Sequence, residues 1–270
     1  MRGMRVAALL LAGAVAAGAA LAAPFEMAVA PSRFELSGKR GGRIGQALEL
    51  QNVGNQATEV AVRTIDWRFG EDGSVSYHDA LLPGSCRPWV LLERPRVRLA
   101  PRERRSFRFQ VDVPPDAPRS ECRFMLAVEG VEPAYQAAVQ GSGLSLALPV
   151  TGRIAVAVYL AVDEAAPRLS MLGVGMREGA QGRTPVVTVR NDGDAHGRLG
   201  GSLEGVDANG QRHEWLPEST PVLPGQTRAL ALTPRAAEEG GPTARPAYPV
   251  RARGTFDWED GSFEVEAEFR

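Results

Sequence analysis

Leu144, Leu146, Leu148 and Val150 alternate with Ser145, Ala147 and Pro149, the period of two that puts one apolar face on a strand. Pro149 has no N–H to give to a ladder, so this strand belongs at the edge of a sheet. A row of large aliphatics along an exposed edge invites pairing with another chain. Two readings are open. The strand is the last of a sandwich and its leucines fill the chain's own core, or it is lent to a partner. In the second case main-chain bonds give affinity and alternate side chains fill pockets.

The rest of the chain is dense in the same signal and poor in helical periodicity. Ala47 to Gln51, Glu59 to Trp67, Trp89 to Leu92, Val97 to Leu99 and Ser106 to Val113 read as strands. Asn52-Val53-Gly54-Asn55, Glu71-Asp72-Gly73 and Pro114-Pro115 punctuate them as turns. Phe124 to Val128 is a short apolar run suited to the middle of a sheet, and Gly130 to Gly143 reads as a loose segment. A second set begins near Pro167: Arg168 to Val174, Pro185 to Arg190, Gly200 to Val206, Arg212 to Leu216, Thr227 to Leu232, Pro249 to Phe256 and Ser262 to Phe269. Asp207-Ala208-Asn209-Gly210 is a hairpin turn between two of these. Asn52-Val53-Gly54 and Asn191-Asp192-Gly193 hold comparable places in the two halves. Short strands with turn signals at such spacing predict an all-β chain of two immunoglobulin-like β-sandwich domains in tandem, with a cleft between them. The expected division is residues 24–160 and 161–270.

The first 23 residues stand apart. Arg2 and Arg5 precede an apolar run from Val6 to Leu21, and Ala20-Leu21-Ala22 offers small residues at a cleavage site, the layout of a secretory signal peptide. A start-anchored membrane helix is the alternative, and cleavage after Ala22 or Ala23 is the expectation. No later stretch approaches the ~18 apolar residues of a spanning helix. Export changes how the two cysteines are read: Cys86 and Cys122 are expected to form a structural disulfide in an oxidising compartment. The formal net charge of −1 implies neither nucleic acid nor an anionic membrane as a partner. Lys39 is the only lysine among 31 basic residues.

In order and spacing, the first half resembles the periplasmic pilus-assembly chaperones of the chaperone–usher pathway, the PapD-like proteins. Pro31-Ser32-Arg33-Phe34 looks like their opening strand. Leu50 to Gly54, Ile65-Asp66-Trp67, Pro88-Trp89-Val90 through Pro101, and Pro118-Arg119-Ser120-Glu121 with Phe124 to Val128 are similar to later segments. Leu144 to Val150 then resembles the strand those proteins donate, and Arg153-Ile154 the pair after it. The match covers roughly residues 27–160. It implies a non-enzymatic chaperone in the periplasm, inserting Leu144, Leu146, Leu148 and Val150 into the open groove of a pilin-type subunit, with an outer-membrane usher as a further candidate partner. It also implies that Arg33 anchors the subunit's C-terminal carboxylate. The lysine that would share this task is replaced by Ala155, and Arg153, two residues back on the same face, is the candidate substitute. The plainer reading of both arginines is a solvated edge charge. An exported structural or adhesive protein of two such domains is the rival class.

Nothing in the chain has the spacing of an enzyme site. His78, His196 and His213 are scattered, without ligand spacing, and read as surface residues. Gly173-Val174-Gly175 lacks a third glycine and a following helix, and Gly141-Ser142-Gly143 is not a nucleophile elbow. The aspartates sit in turns without a calcium ladder. Trp67, Trp89, Trp215 and Trp258 are expected in packing rather than on a sugar platform. No catalytic residue, metal, cofactor or small-molecule substrate is expected.

Overall fold

The structure is a computed structural model. It describes residues 25–70, 73–131, 152–179, 182–235 and 246–270, and the backbone of 135–141 and 144–150. The leader expected over residues 1–23 lies outside the described residues.

The first half forms β1 (Met27–Ala30), β2 (Arg33–Gly38), β3 (Arg43–Asn52), β4 (Thr58–Phe69), β5 (Val75–His78), β6 (Val90–Leu92), β7 (Arg96–Leu99), β8 (Arg104–Asp112), β9 (Glu121–Gly130), β10 (Tyr135–Gly141), β11 (Leu144–Val150) and β12 (Arg153–Val162). One sheet runs β1, β3, β8, β6. The other runs β2, β12, β9, β4, β5, with β7 also pairing β4. Their inner faces meet through alternate residues: Leu48, Leu50, Phe107, Phe109 and Val111 pack on Val60, Val62, Phe124, Leu126, Val128, Val156, Val158 and Leu160. Phe109 meets Phe34 and Phe124 edge-on, at 5.2 and 6.5 Å between centroids, each pair adding about 0.5–1.5 kcal/mol beyond its buried area. The chain changes sheets around Pro31, from β1 antiparallel to β3 to β2 parallel to β12. Cys86 and Cys122 are bonded, with Cα atoms 5.8 Å apart, tying the turn before β6 to the start of β9.

Three expectations change here. The segment expected to be loose contains β10, which pairs with β11 from Tyr135↔Val150 to Gly141↔Leu144. The stretch read as one strand divides into β11 and β12, because two residues on this side face five on the other between the β9–β12 and β10–β11 ladders. The last strand of this half continues to Val162 rather than closing near residue 160.

The second half forms β13 (Leu169–Gly179), β14 (Gly182–Asn191), β15 (Gly200–Val206), β16 (Arg212–Pro217), β17 (Thr227–Pro234), β18 (Val250–Trp258) and β19 (Gly261–Phe269). They make one sheet in the order β13, β14, β17, β16, β15, β18, β19. It coils until β13 touches β19, so a single twisted sheet supplies both layers around Val187, Val189, Leu203, Trp215, Leu230, Leu232, Phe256 and Phe269.

The two asparagine corners repeat at atomic detail. Asn52 Nδ2 donates to Gln56 O and Ala100 O, while its Oδ1 accepts from Gly54 N. Asn191 Nδ2 donates to Ala195 O and Val222 O, and its Oδ1 accepts from Gly193 N. Each buried side chain thereby satisfies the backbone of a turn that no ladder reaches.

The β15–β16 hairpin closes on Asp207, whose carboxylate accepts from the N–H groups of Asn209, Gln211 and Ala247 and pairs with His213 Nε2 at 3.2 Å. Burial pushes this carboxyl up, but the backbone donors and His213 outweigh it and hold the group down at about 2. Stability from a depressed carboxyl is complete above its unfolded value, near 4, and is lost as pH falls through about 2. Asp207→Ala is therefore expected to denature earlier than wild type at pH 7. The gap between their denaturant midpoints should narrow steadily from pH 4 to pH 2.

Candidate functional site

β11 pairs only with β10 among the described residues. Its other edge carries no ladder, as Pro149 led us to expect. β10 and β11 lie between β9 and β12 in the chain as a two-stranded sheet of their own. β12 is met on this side by β2 only from Ala157 onward, where Arg33 is its partner. Among the described residues, β11 and the start of β12, Arg153 to Val156, therefore carry no ladder on this side, and β2 takes up the pairing at Arg33. The side chains of Leu144, Leu146, Leu148 and Val150 lie outside the described residues.

The outer face of the larger sheet floors the space beside this edge. Its ladders place Glu129 beside Arg153, Ala127 beside Ala155, and Met125 beside Ala157, which neighbours Arg33; Arg123 comes next beside Tyr159, which neighbours Glu35. Arg33 and Arg153 thus stand four residues apart along adjacent strands, about 13 Å, with Ala155 and Ala157 between. The structure does not bring them to a common point. Arg33 Nε pairs with Glu35 at 2.8 Å, leaning away from Arg153. Arg153 pairs with Glu129 at 2.5 Å. Glu129 also takes a two-pronged bond from Arg63, at 2.9 Å for each oxygen, which holds its carboxyl below the usual range.

The second half forms the other wall. Glu35 lies 3.4 Å from Arg198 Nε and 3.7 Å from His196 Nε2. His196 stacks on Tyr159 at 4.0 Å between centroids, and its Nδ1 and backbone N–H both meet the buried Glu121. Arg198 donates to Ser219 O at 2.6 Å and to the Tyr159 hydroxyl at 3.4 Å. Burial raises the Tyr159 phenol above its ordinary value. Further along, Leu223 packs with Phe69 and Tyr159, Arg228 lies over the Phe69 ring at 4.4 Å, and Gln226 Nε2 donates to Phe69 O. Between the halves remains a cleft of about 880 Å³ reaching Glu35, Glu121, Tyr159, His196, Arg198 and Trp258.

Two readings of the histidines are corrected. His196 and His213 are interior: each is enclosed by an aromatic ring and a carboxylate. The neighbours of His196, Tyr159 and Glu121, lie far away in sequence, while those of His213, Asp207 and Trp215, lie on its own hairpin. No cluster of His, Cys, Asp and Glu suited to a metal occurs among the described residues.

No known family profile matches the chain, and no curated protein matches it. Solved structures similar to it include the YadV chaperone, at 12% identity, with 90% of this chain and 99% of that one covered and a TM-score of 0.46. A chain from the Salmonella enterica complex of SafA pilin with the SafB chaperone is 16% identical, with 91% and 98% covered and a TM-score of 0.44. The E. coli chaperone DraB is 15% identical, with 92% and 98% covered and a TM-score of 0.43. These are likenesses, and no residue of the site is assigned from them.

Proposed function

We propose that this chain is an exported, non-enzymatic chaperone of the periplasm that holds pilin-type subunits by lending them the β11 edge. The observation that carries the proposal is the ribbon: among the described residues β10 and β11 pair only with each other, and β12 meets no second partner on this side before Ala157, opposite Arg33. A free edge of this length is what strand addition requires, and what a stand-alone domain avoids. The rival adhesive reading needs β11 to ladder into the chain's own sandwich. Residues 1–23 act as the cleaved leader, and the two halves, divided after β12 ends at Val162, as the two domains. Leu144, Leu146, Leu148 and Val150 are the groove-filling side chains. Arg33, at the end of the open edge, receives the subunit's C-terminal carboxylate, while Arg153 stays with Glu129 and braces the base of the ribbon.

Co-expression with a strand-deficient pilin subunit tests this. A soluble one-to-one complex is expected, with the subunit aggregating when expressed alone. A subunit that is soluble alone and never co-purifies would overturn the proposal. Arg33→Ala should weaken capture roughly tenfold or more, the worth of a hydrogen bond between charged groups. Its melting temperature should be unchanged, because the Arg33–Glu35 pair is about half exposed and such pairs contribute about 0–1 kcal/mol. Equal capture by Arg33→Ala would return Arg33 to the role of a surface charge.

A further inference from the structure

The ion pair that turns Arg33 away from Arg153 belongs to a larger arrangement around Glu35. Arg33 and Glu35 lie two apart on β2, so both stand on its outer face while Phe34 between them enters the core. β12 sets Ala157 beside Arg33 and Tyr159 beside Glu35. One oxygen of Glu35, Oε1, is where three groups meet. It pairs with Arg33 Nε at 2.8 Å, lies 3.4 Å from Arg198 Nε and stands 3.7 Å from His196 Nε2. The two arginines differ in setting. Arg33 is half exposed, whereas the Arg198 side chain is 20% exposed and is fixed by its bonds to Ser219 O and the Tyr159 hydroxyl. Arg198 Nε is buried and makes no hydrogen bond. A buried donor without an acceptor is costly, and the Glu35 carboxylate stands just short of it.

We propose that Glu35 is a built-in stand-in for the subunit's terminal carboxylate: it occupies Arg33 in the free chain and passes to Arg198 when the guest's carboxylate arrives. The inference rests on the role given to Arg33 above and adds the occupant that must leave. Two carboxylates at one guanidinium repel each other, so capture at Arg33 is favoured when Glu35 has somewhere to go. Arg198 Nε is that second seat, and the move gives a buried donor the acceptor it lacks. In the free protein Arg33 is never a bare cation, and an arriving anion must outcompete Glu35 to be held. An exposed ion pair is worth little, so a guest that also pairs its backbone displaces Glu35 readily.

The experiment sets two differently tagged mature chains, wild type and one variant, in competition for a limiting amount of a strand-deficient pilin subunit. Mass spectrometry of the complexes reads the ratio. Glu35→Gln removes the charge and keeps the shape, and it is expected to win by about two- to fivefold, the worth of an exposed ion pair. A gain of this kind cannot come from damage to the fold. In the Arg33→Ala background the same change should have no effect, because Glu35 acts through Arg33. Arg198→Ala should lose by about two- to fivefold, since Glu35 then has no second seat. Glu35→Gln combined with Arg198→Ala should capture like Glu35→Gln alone. Capture by Glu35→Gln that is no better than wild type would overturn the proposal, and weaker capture would do so by making Glu35 a support for Arg33. An Arg198→Ala loss that persists beside Glu35→Gln would mean that Arg198 meets the guest itself, and would overturn the second seat. The Glu35 and Arg33 variants decide the matter if Arg198→Ala does not fold. Equal capture by Arg33→Ala brings down the anchoring role and this inference with it. Weak capture by Arg33→Ala with unimproved capture by Glu35→Gln overturns this inference alone.

Discussion

Leu146→Glu combined with Leu148→Glu is expected to abolish subunit capture and to leave the melting temperature of the free protein within a few degrees of wild type. β11 contributes no ladder to either sheet among the described residues, so two charges on it need not disturb the packing around Phe109 and Phe124. In a complex the outcome differs. Each leucine removed from a partner's groove forfeits about 1.5–3 kcal/mol of burial. Each carboxylate entering an apolar groove without a partner costs several kcal/mol more. Together these exceed about 6 kcal/mol, a loss beyond 10⁴-fold in Kd. The checks are a thermal melt and a capture assay with the same subunit. Normal melting with normal capture would refute the assignment of β11. A collapse in melting temperature would instead place the leucines in the chain's own core.

Removing the disulfide is expected to have the largest effect on the free protein. Cys86 and Cys122 are separated by 36 residues in sequence, and closing a loop of that size lowers the entropy of the unfolded chain by an amount worth about 4 kcal/mol. Both sulfur positions are buried in the first core. For a domain of this size, Cys86→Ser with Cys122→Ser should lower the melting temperature of the first half by roughly 10–15 °C. The second half has its own core around Trp215 and Phe256, so a second transition should stay near its wild-type temperature. Calorimetry resolves the two. A single transition shifted as a whole would mean that the halves unfold together.

The strands were legible because their signal is local. Alternation at Ser106 to Val113 and Leu144 to Val150, and the proline at position 149, needed only neighbours to be read. The pair of asparagine corners was legible for the same reason, although the sequence alone does not show that Asn52 and Asn191 bond alike. What was not legible was set by non-local pairing. That β2 lies parallel to β12, placing Arg33 at the end of the open edge, depends on a register between residues 33 and 157 that no pattern encodes. The cleft cluster draws on Glu35, Glu121, Tyr159, His196 and Arg198, which come from four separate segments of the chain. The histidines were misjudged because scattering along a chain says nothing about burial when sheets bring distant segments together. Of the interdomain residues, only those in Pro118-Arg119-Ser120-Glu121 carried a sequence signal.

The point at which β2 joins β12 also acts as a length gauge. On the proposed function, a visiting strand that pairs along β12 goes no further than Val156, since at Ala157 the position is taken by Arg33. A longer visitor must bend away into the cleft or peel β2 from its seat, giving up the burial of Phe34. A shorter one leaves unpaired backbone at one end. On that reading, a guest whose strand ends at Arg33 fits without remainder.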